Sequence, residues 1–466
     1  MERRFAARMQ EALESAVVDP RVFRDVQPRL ENFLEPFVAC LREAEQKAHA
    51  RSYVSGLLSD LKRKNVESVA YLHDQDRLPL QKFIGCSPWN HRPLLGELAR
   101  QVGAELGEAD GVLVIDPSAH PKKGTESVGV QRQWCGRLGK IENCQVGVYL
   151  GYVSRIEQAL VDVRLYLPES WASDKKRRKK AGVPKEVRFQ TRHELALAML
   201  DENGPLLPHS WITGDDEMGR STHFRRELQG RNERYLLMVP SNTLVRDLEA
   251  EPPPYGGRGP RPQVAFVRVD RWAAAQPSSA WTTIEIRPGE KGPLVVEAMK
   301  RRVAAKTDRR RAGPEEVLVV FREQQPDGTF KHDYALSSAS AETPLSEFAR
   351  VFNAEHRIEQ CLQRAKGEAG LSHYQVRTWR GWHHHQSLSL IATWFLTQEA
   401  RRGKNMDTCA HGAATPLVYC GGLPPSLGLR PNRVRLPDQH TPPATQRASA
   451  PLLLEEETQP CATIAS

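Results

Sequence analysis

Between residues 23 and 101 apolar side chains recur at three- and four-residue intervals among many charges, as at Tyr53, Leu57, Leu58 and Leu61. That is the period of helices that bury one face. Breaks fall at Asp76 and at Ser87-Pro88, where the chain turns, and a small helical domain is expected. At Gly111 the texture changes. Val112-Leu113-Val114-Ile115 is a continuous apolar run that reads as a buried strand ending at Asp116. A second strand is predicted over 145–150 and a third, alternating one over 159–167. A basic run at 175–180 follows, a plausible contact for a polyanion but better read as a mobile charged loop, then a helix over 193–200 and a strand at 211–213 that leads into Asp215. Strands mixed with helices in this order indicate an α/β core.

From 264 to 338 the chain turns β-rich, with candidate strands at 264–269, 282–286, 317–321 and 334–336 and a basic helical segment at 298–305 between them. This reads as an insertion within the core, entered through the Pro/Gly cluster at 251–262. Helical periodicity resumes over 345–367 and 382–399. Beyond Lys404 the sequence is rich in Pro, Ser and Thr without a period, the composition of a disordered tail. Five units are therefore expected: helical 1–105, the first part of the core at 106–250, the β-rich insertion at 251–343, the late core helices at 344–404, and the tail at 405–466.

A chain of 466 residues exceeds the roughly 250–300 at which a single core stops growing, in keeping with several units. The net charge of +9 suits a polyanionic partner, although many cytosolic proteins are mildly basic too. The eight cysteines are scattered and no pair has the two-residue spacing of a zinc knuckle, so they read as reduced, in a cytosolic protein. The amino terminus lacks a continuous apolar core of signal-peptide length. Even the most apolar stretch, 388–396, falls short of a membrane span. A soluble protein of the cytoplasm or nucleoid, without a membrane partner, is expected.

Three acids stand out as candidates for one site. Asp116 ends an apolar strand whose burial would fix its carboxylate; a turn or helix-capping aspartate is the alternative. Asp215 opens the run Asp215-Asp216-Glu217. Three adjacent acids repel unless a cation or Arg220 compensates them, and an acidic helix start stabilised by its dipole is the rival reading. Glu359 lies seven residues from both Phe352 and Lys366, close to two helical turns, so the three form a column on one face. A metal or Lys366 could meet its charge. Hard divalent cations take oxygen ligands and keep several waters, so a few carboxylates plus substrate phosphates hold them.

These residues resemble the DD(E) transposases of bacterial insertion sequences, in the group whose signature runs Tyr, two residues, Arg, three residues, Glu, six residues, Lys. Glu359 and Lys366 keep that spacing, while Phe352 stands for the Tyr and Glu355 for the Arg; Arg357 or Arg364 could substitute for the missing phosphate contact. The block from Val114-Ile115-Asp116 through Lys122-Lys123-Gly124 to Trp134-Cys135-Gly136 is similar to the same group. So are Leu165-Tyr166-Leu167-Pro168-Glu169-Ser170-Trp171 and the placing of Asp215 four residues before Gly219, which favours Asp215 over Asp216.

The resemblance implies an α/β fold, an RNase H-like mixed-sheet core interrupted by a β-rich insertion, with a helical N-terminal domain that helps bind DNA. Asp116, Asp215 and Glu359 are then the catalytic, metal-holding acids, with Mg2+ as the ion and Mn2+ as its substitute. The partners implied are double-stranded DNA, as terminal inverted repeats and target, and a second copy of the chain in a synaptic complex. Metal-assisted hydrolysis frees a 3′-hydroxyl, which then attacks target DNA. Lys122, Lys123, Arg220, Arg357 and Lys366 are candidate DNA contacts, with solvated lysines as the rival for the first two. Trp272 and Trp281 could stack on a base, with core packing the other role. His383, His384 and His385 read as structural or DNA-proximal, not as metal ligands. The competing functions are a decayed or domesticated transposase that only binds DNA, and an RNase H-like nuclease that cuts without joining.

Overall fold

The computed structural model describes residues 24–287, 294–307, 309 and 311–407. The expected tail, apart from its first three residues, lies outside them. Among the described residues five helices come first: α1 (Val26–Ala39), α2 (Ala44–Leu58), α3 (Val66–Leu72), α4 (Arg77–Gly85) and α5 (Arg92–Leu106). Asn65 and Asp76 cap α3 and α4 by accepting the backbone N–H groups of Ser68 and Leu78, donors that a helix leaves unpaired at its start. The residues that set the helical period, Tyr53, Leu57 and Leu58 among them, are buried.

The sheet begins with β1 (Val112–Pro121), β2 (Gln131–Cys135), β3 (Lys140–Val153) and β4 (Gln158–Leu165). After α6 (Glu169–Ala172), α7 (Lys175–Ala181) and α8 (Arg192–Asn203) come β5 (Trp211–Gly214), α9 (Asp216–Arg220), α10 (Thr222–Gly230) and β6 (Tyr235–Met238). β3 lies antiparallel between β1 and β4, whereas β1, β5 and β6 run parallel. The order β4-β3-β1-β5-β6 is the expected RNase H-like mixed core. Every residue of β5 and β6 is buried, as the apolar runs of parallel strands demand.

The β-rich segment supplies β7 (Leu244–Asp247), β8 (Val267–Arg268), α11 (Val269–Ala274), β9 (Thr282–Arg287), β10 (Leu294–Lys306), β11 (Ala312–Gln324) and β12 (Phe330–Ser337). β12 pairs antiparallel with β6, so these strands extend the core sheet. Along β11, Val317, Val319 and Phe321 join the main hydrophobic core, while Leu318 and Val320 join a second cluster with Val245, Trp272 and Met299. The two-residue period of a strand thus divides one segment between two cores. A buried ion pair pins the extension in place: Arg225 of α10 donates to Glu316 of β11 at 2.7 Å, and the Tyr235 hydroxyl of β6 donates to the same carboxylate at 2.6 Å.

α12 (Leu345–Glu368) and α13 (Trp379–Asp407) complete the fold. α13 receives the N-terminal helices. The Tyr53 hydroxyl is hydrogen-bonded to His385 at 2.9 Å, His384 stacks on Trp89 at 3.6 Å, and Arg29 pairs with Glu399. One hydrophobic cluster runs from Val26 through the sheet to Phe395. All three histidines are buried and bonded to protein groups, which gives them the structural role.

Four local expectations are corrected. The basic stretch 298–305 lies in β10 and not in a helix, because Ala298, Val303 and Ala305 find partners across two neighbouring strands. The run 175–180 is helical, capped by Asp174, which accepts from Lys176 and Arg177, and the Arg177 guanidinium stacks on Trp171. Of 264–269 only Val267 and Arg268 form a strand. The last helix continues three residues past Lys404.

Candidate active site

β1 does not stop at Asp116. It continues to Pro121, still paired with β3, while its pairing with β5 ends at Ile115 and Gly214. Asp116 therefore sits where the parallel neighbour leaves the sheet, and Asp215 is the next residue on that neighbour. Register alone brings the two aspartates to adjoining strand ends, the usual place for a site in an open α/β sheet. Asp215 also caps α9, accepting the Met218 N–H at 3.1 Å. The rival reading of this run, an acidic helix start, is thus realised with Asp215 as its cap, and the cap orients the carboxylate.

Two glycines set the walls. A Cβ on Gly219 would lie 1.9 Å from the carbonyl oxygen of Met238, so only glycine lets α9 lie this close to the end of β6. A Cβ on Gly151 would lie 2.4 Å from the Ile358 side chain; its absence seats α12 on β3. α12 then crosses the face of β1 that carries Asp116. Lys366 donates to the hydroxyl of Ser118 at 2.8 Å and favours the ionised form of Asp116.

The electrostatics are those of crowded acids. Burial, opposed by Lys366 and reinforced by Glu359, pushes the Asp116 carboxyl up to about 6. Burial is also the main cause that pushes Asp215 up to about 7, with Asp116, Glu217 and Asp216 adding to it. Glu355 is raised well above the usual carboxylate range by burial and by Asp215, Asp116, Asp333 and Glu359. A cavity of about 690 Å³ opens here between α12, the ends of β5 and β6, and the sheet extension, with Asp215, Glu355, Glu359 and Asp333 in its lining. Phe352 stacks on Phe321 at 4.3 Å and closes one wall.

The structure treats the remaining candidates differently. Glu359 stands at the mouth with its side chain 61% exposed, 3.7 Å from His356. Arg220 is exposed beside Asp216 at 3.5 Å, on the helix that Asp215 caps. Arg357 faces away from the acids and donates to Ser154 and Gln158 at the turn between β3 and β4. Lys122 lies six residues beyond Asp116, about 20 Å along an extended strand. Its ammonium sits over the Tyr374 ring at 3.4 Å, and burial pulls it down to about 8. Lys123 is exposed. Trp272 is buried and donates to Asp247, the packing role. Trp281 lies 4.0 Å from the guanidinium of Arg322, which also meets Phe330 at 4.3 Å. Sequence reasoning passed over Glu355, counting it a lost arginine; its place one turn before Glu359 was the available signal.

Among the described residues no three His, Cys, Asp or Glu side chains stand as a preformed metal-holding set. The donor chemistry still fits a hard divalent cation. The groups are carboxylate oxygens that raise one another's proton affinity, and one or two of them with substrate phosphates suffice for Mg2+. The described cysteines, Cys40, Cys86, Cys135, Cys144 and Cys361, are free thiols. No described helix is long and apolar enough to cross a membrane.

A family model described as DDE superfamily endonuclease matches residues 36–293, a span that holds Asp116 and Asp215. A probable transposase for insertion sequence element IS701, from Microchaete diplosiphon, is 26% identical over 332 residues, covering 69% of this chain and 74% of its own length. The chain is also similar to the piggyBac transposase in a cryo-EM structure of its synaptic complex with hairpin DNA. That likeness has a TM-score of 0.39 at 9% identity, over 88% of this chain and 79% of that one.

Proposed function

The chain belongs to the DDE superfamily of endonucleases, among its insertion-sequence transposases, and from that premise we propose that it cuts DNA at the ends of its element and joins them to target DNA. The observation that carries this reading is the register of β1 against β5, which sets Asp116 and Asp215 side by side beneath a helix bearing further acids. Asp116, Asp215 and Glu359 are the catalytic acids in this reading, and Mg2+ or Mn2+ is the ion they hold. When bound, that ion supplies Lewis acidity to the attacking oxygen and to the departing one.

The chain's own residues do the rest. The strand ends and the Met218 N–H fix the two aspartates, so their oxygens are pre-positioned at no cost during reaction. Lys366, held by Ser118, keeps positive charge beside Asp116. Arg220, exposed at the rim, meets the phosphate backbone, and the +9 net charge steers the polyanion. In the first step water oxygen bonds to phosphorus, the P–O3′ bond breaks, and the 3′-oxygen leaves as a hydroxyl. In the second, that hydroxyl attacks a target phosphodiester, whose own 3′-oxygen departs. The substrates are double-stranded terminal repeats and target DNA, brought together by a dimer.

Asp116→Asn, Asp215→Asn and Glu359→Gln are each expected to lower Mg2+-dependent cleavage of end-containing DNA by at least a thousandfold, about 4 kcal/mol of barrier, with binding and melting temperature nearly unchanged. Full cleavage by any one variant removes that acid from the site. Joined products on a target plasmid distinguish a transposase from a nuclease that cuts without joining.

A further inference from the structure

We infer that Glu355 is a fourth carboxylate of the metal site, an oxygen donor to the cation held between Asp116 and Asp215. This rests on the reading of those aspartates as metal ligands.

Three buried carboxylates among the described residues have a cation against them. Glu316 has Arg225, Asp162 has Arg164, and Glu399 has Arg29 and Arg402. Glu355, partly exposed to the cavity, has no ion pair among the described residues, and the charges that act on it most are Asp215, Asp116, Asp333 and Glu359, all acids. An unpaired carboxylate set among like charges is costly, and no hydrogen bond within the described residues offsets it. The position is on a helix whose neighbouring turns are filled by Phe352 against Phe321 and by Ile358 against Gly151, so an apolar side chain would pack there more cheaply.

The geometry gives the carboxylate a use. Glu355 and Glu359 are four residues apart on α12 and line one cavity with Asp215. Residues at this spacing stand about 5–6 Å apart at their Cβ atoms, and like charges there destabilise the helix. A divalent cation reverses the sign of each of these contacts. Glu355 is the less exposed of the two glutamates, and Glu359 is the outer one, at the mouth.

The test is Mn2+ binding by the full-length protein without DNA, read from the electron paramagnetic resonance signal of free Mn2+. Glu355→Gln, nearly isosteric, is expected to weaken Mn2+ affinity at least tenfold, with a matching loss of the melting-temperature rise that Mn2+ induces. Glu355→Met is the second variant, should the glutamine form fold poorly. Asp116→Asn and Asp215→Asn serve as controls. If they lose Mn2+ while a folded Glu355 variant binds within twofold of the parent, the role given to Glu355 is wrong and the aspartate site stands. If the aspartate variants also bind normally, the reading of the site itself falls, and Glu355 with it.

Discussion

Gly219 shows how much a single position can carry. Four residues after Asp215, it sits where α9 touches the end of β6, and any side chain would meet backbone that cannot swing aside. Gly219→Ala is expected to cost about 1–3 kcal/mol, the range for forced overpacking, measured by urea unfolding. Because α9 also supplies the N–H that orients Asp215, the same change should reduce cleavage more than DNA binding; equal losses in both would detach the glycine from the site. Glu355 makes a related point about motif reading. Judged by type, it is a departure from an expected arginine; judged by place, it lines one cavity with Asp215.

At the level of elements, α13 and β11 are where polar groups are buried deliberately. Burial pulls His383 and His385 down to about 3 and His384 down to about 4, so all three are neutral in the folded chain. Their folded values lie below the unfolded one. The stability they contribute is therefore complete above about pH 6.5 and is lost as pH falls from there toward 4, at up to about 1.4 kcal/mol per pH unit for each. Urea unfolding at about pH 7 and pH 5 should show a steep fall, and His385→Asn should make it shallower. An unchanged slope would mean that these rings charge without cost. In β11, Arg225→Met strands Glu316 and should destabilise by about 3–5 kcal/mol, whereas Arg225→Met with Glu316→Leu should recover most of that loss. Denaturant titration of the single and double variants decides it.

For the whole molecule, a continuous sheet and a core shared from Val26 to Phe395 predict that the helices, the RNase H-like part and its β-rich extension unfold together. Scanning calorimetry should show one transition for the described fold, with calorimetric and van't Hoff enthalpies that agree. A separate early transition would mark the extension or the N-terminal helices as independent.

Much of this was legible along the chain. Apolar runs such as Val112–Ile115 and 211–213 announced buried strands because a parallel strand is covered on both faces, and α12 appeared within a residue of its bounds because its period is long and regular. The misreadings share a cause. Residues 298–305 are basic, yet they lie in a strand, since strand structure depends on neighbours distant in sequence. Lys122 and Arg357 remain candidate phosphate contacts, and in the folded chain the carbonyls of Tyr374 and Ser154, hundreds of residues away, accept hydrogen bonds from them. The sequence by itself determined which segments are helix or strand where the period is local, and which acids end or flank them. Only the tertiary structure decided which acids meet: strand register set Asp215 beside Asp116, and the seating of Ile358 on Gly151 turned Glu355 inward and left Glu359 at the mouth. Periodicity records which face of an element is buried; it carries no information on what lies opposite.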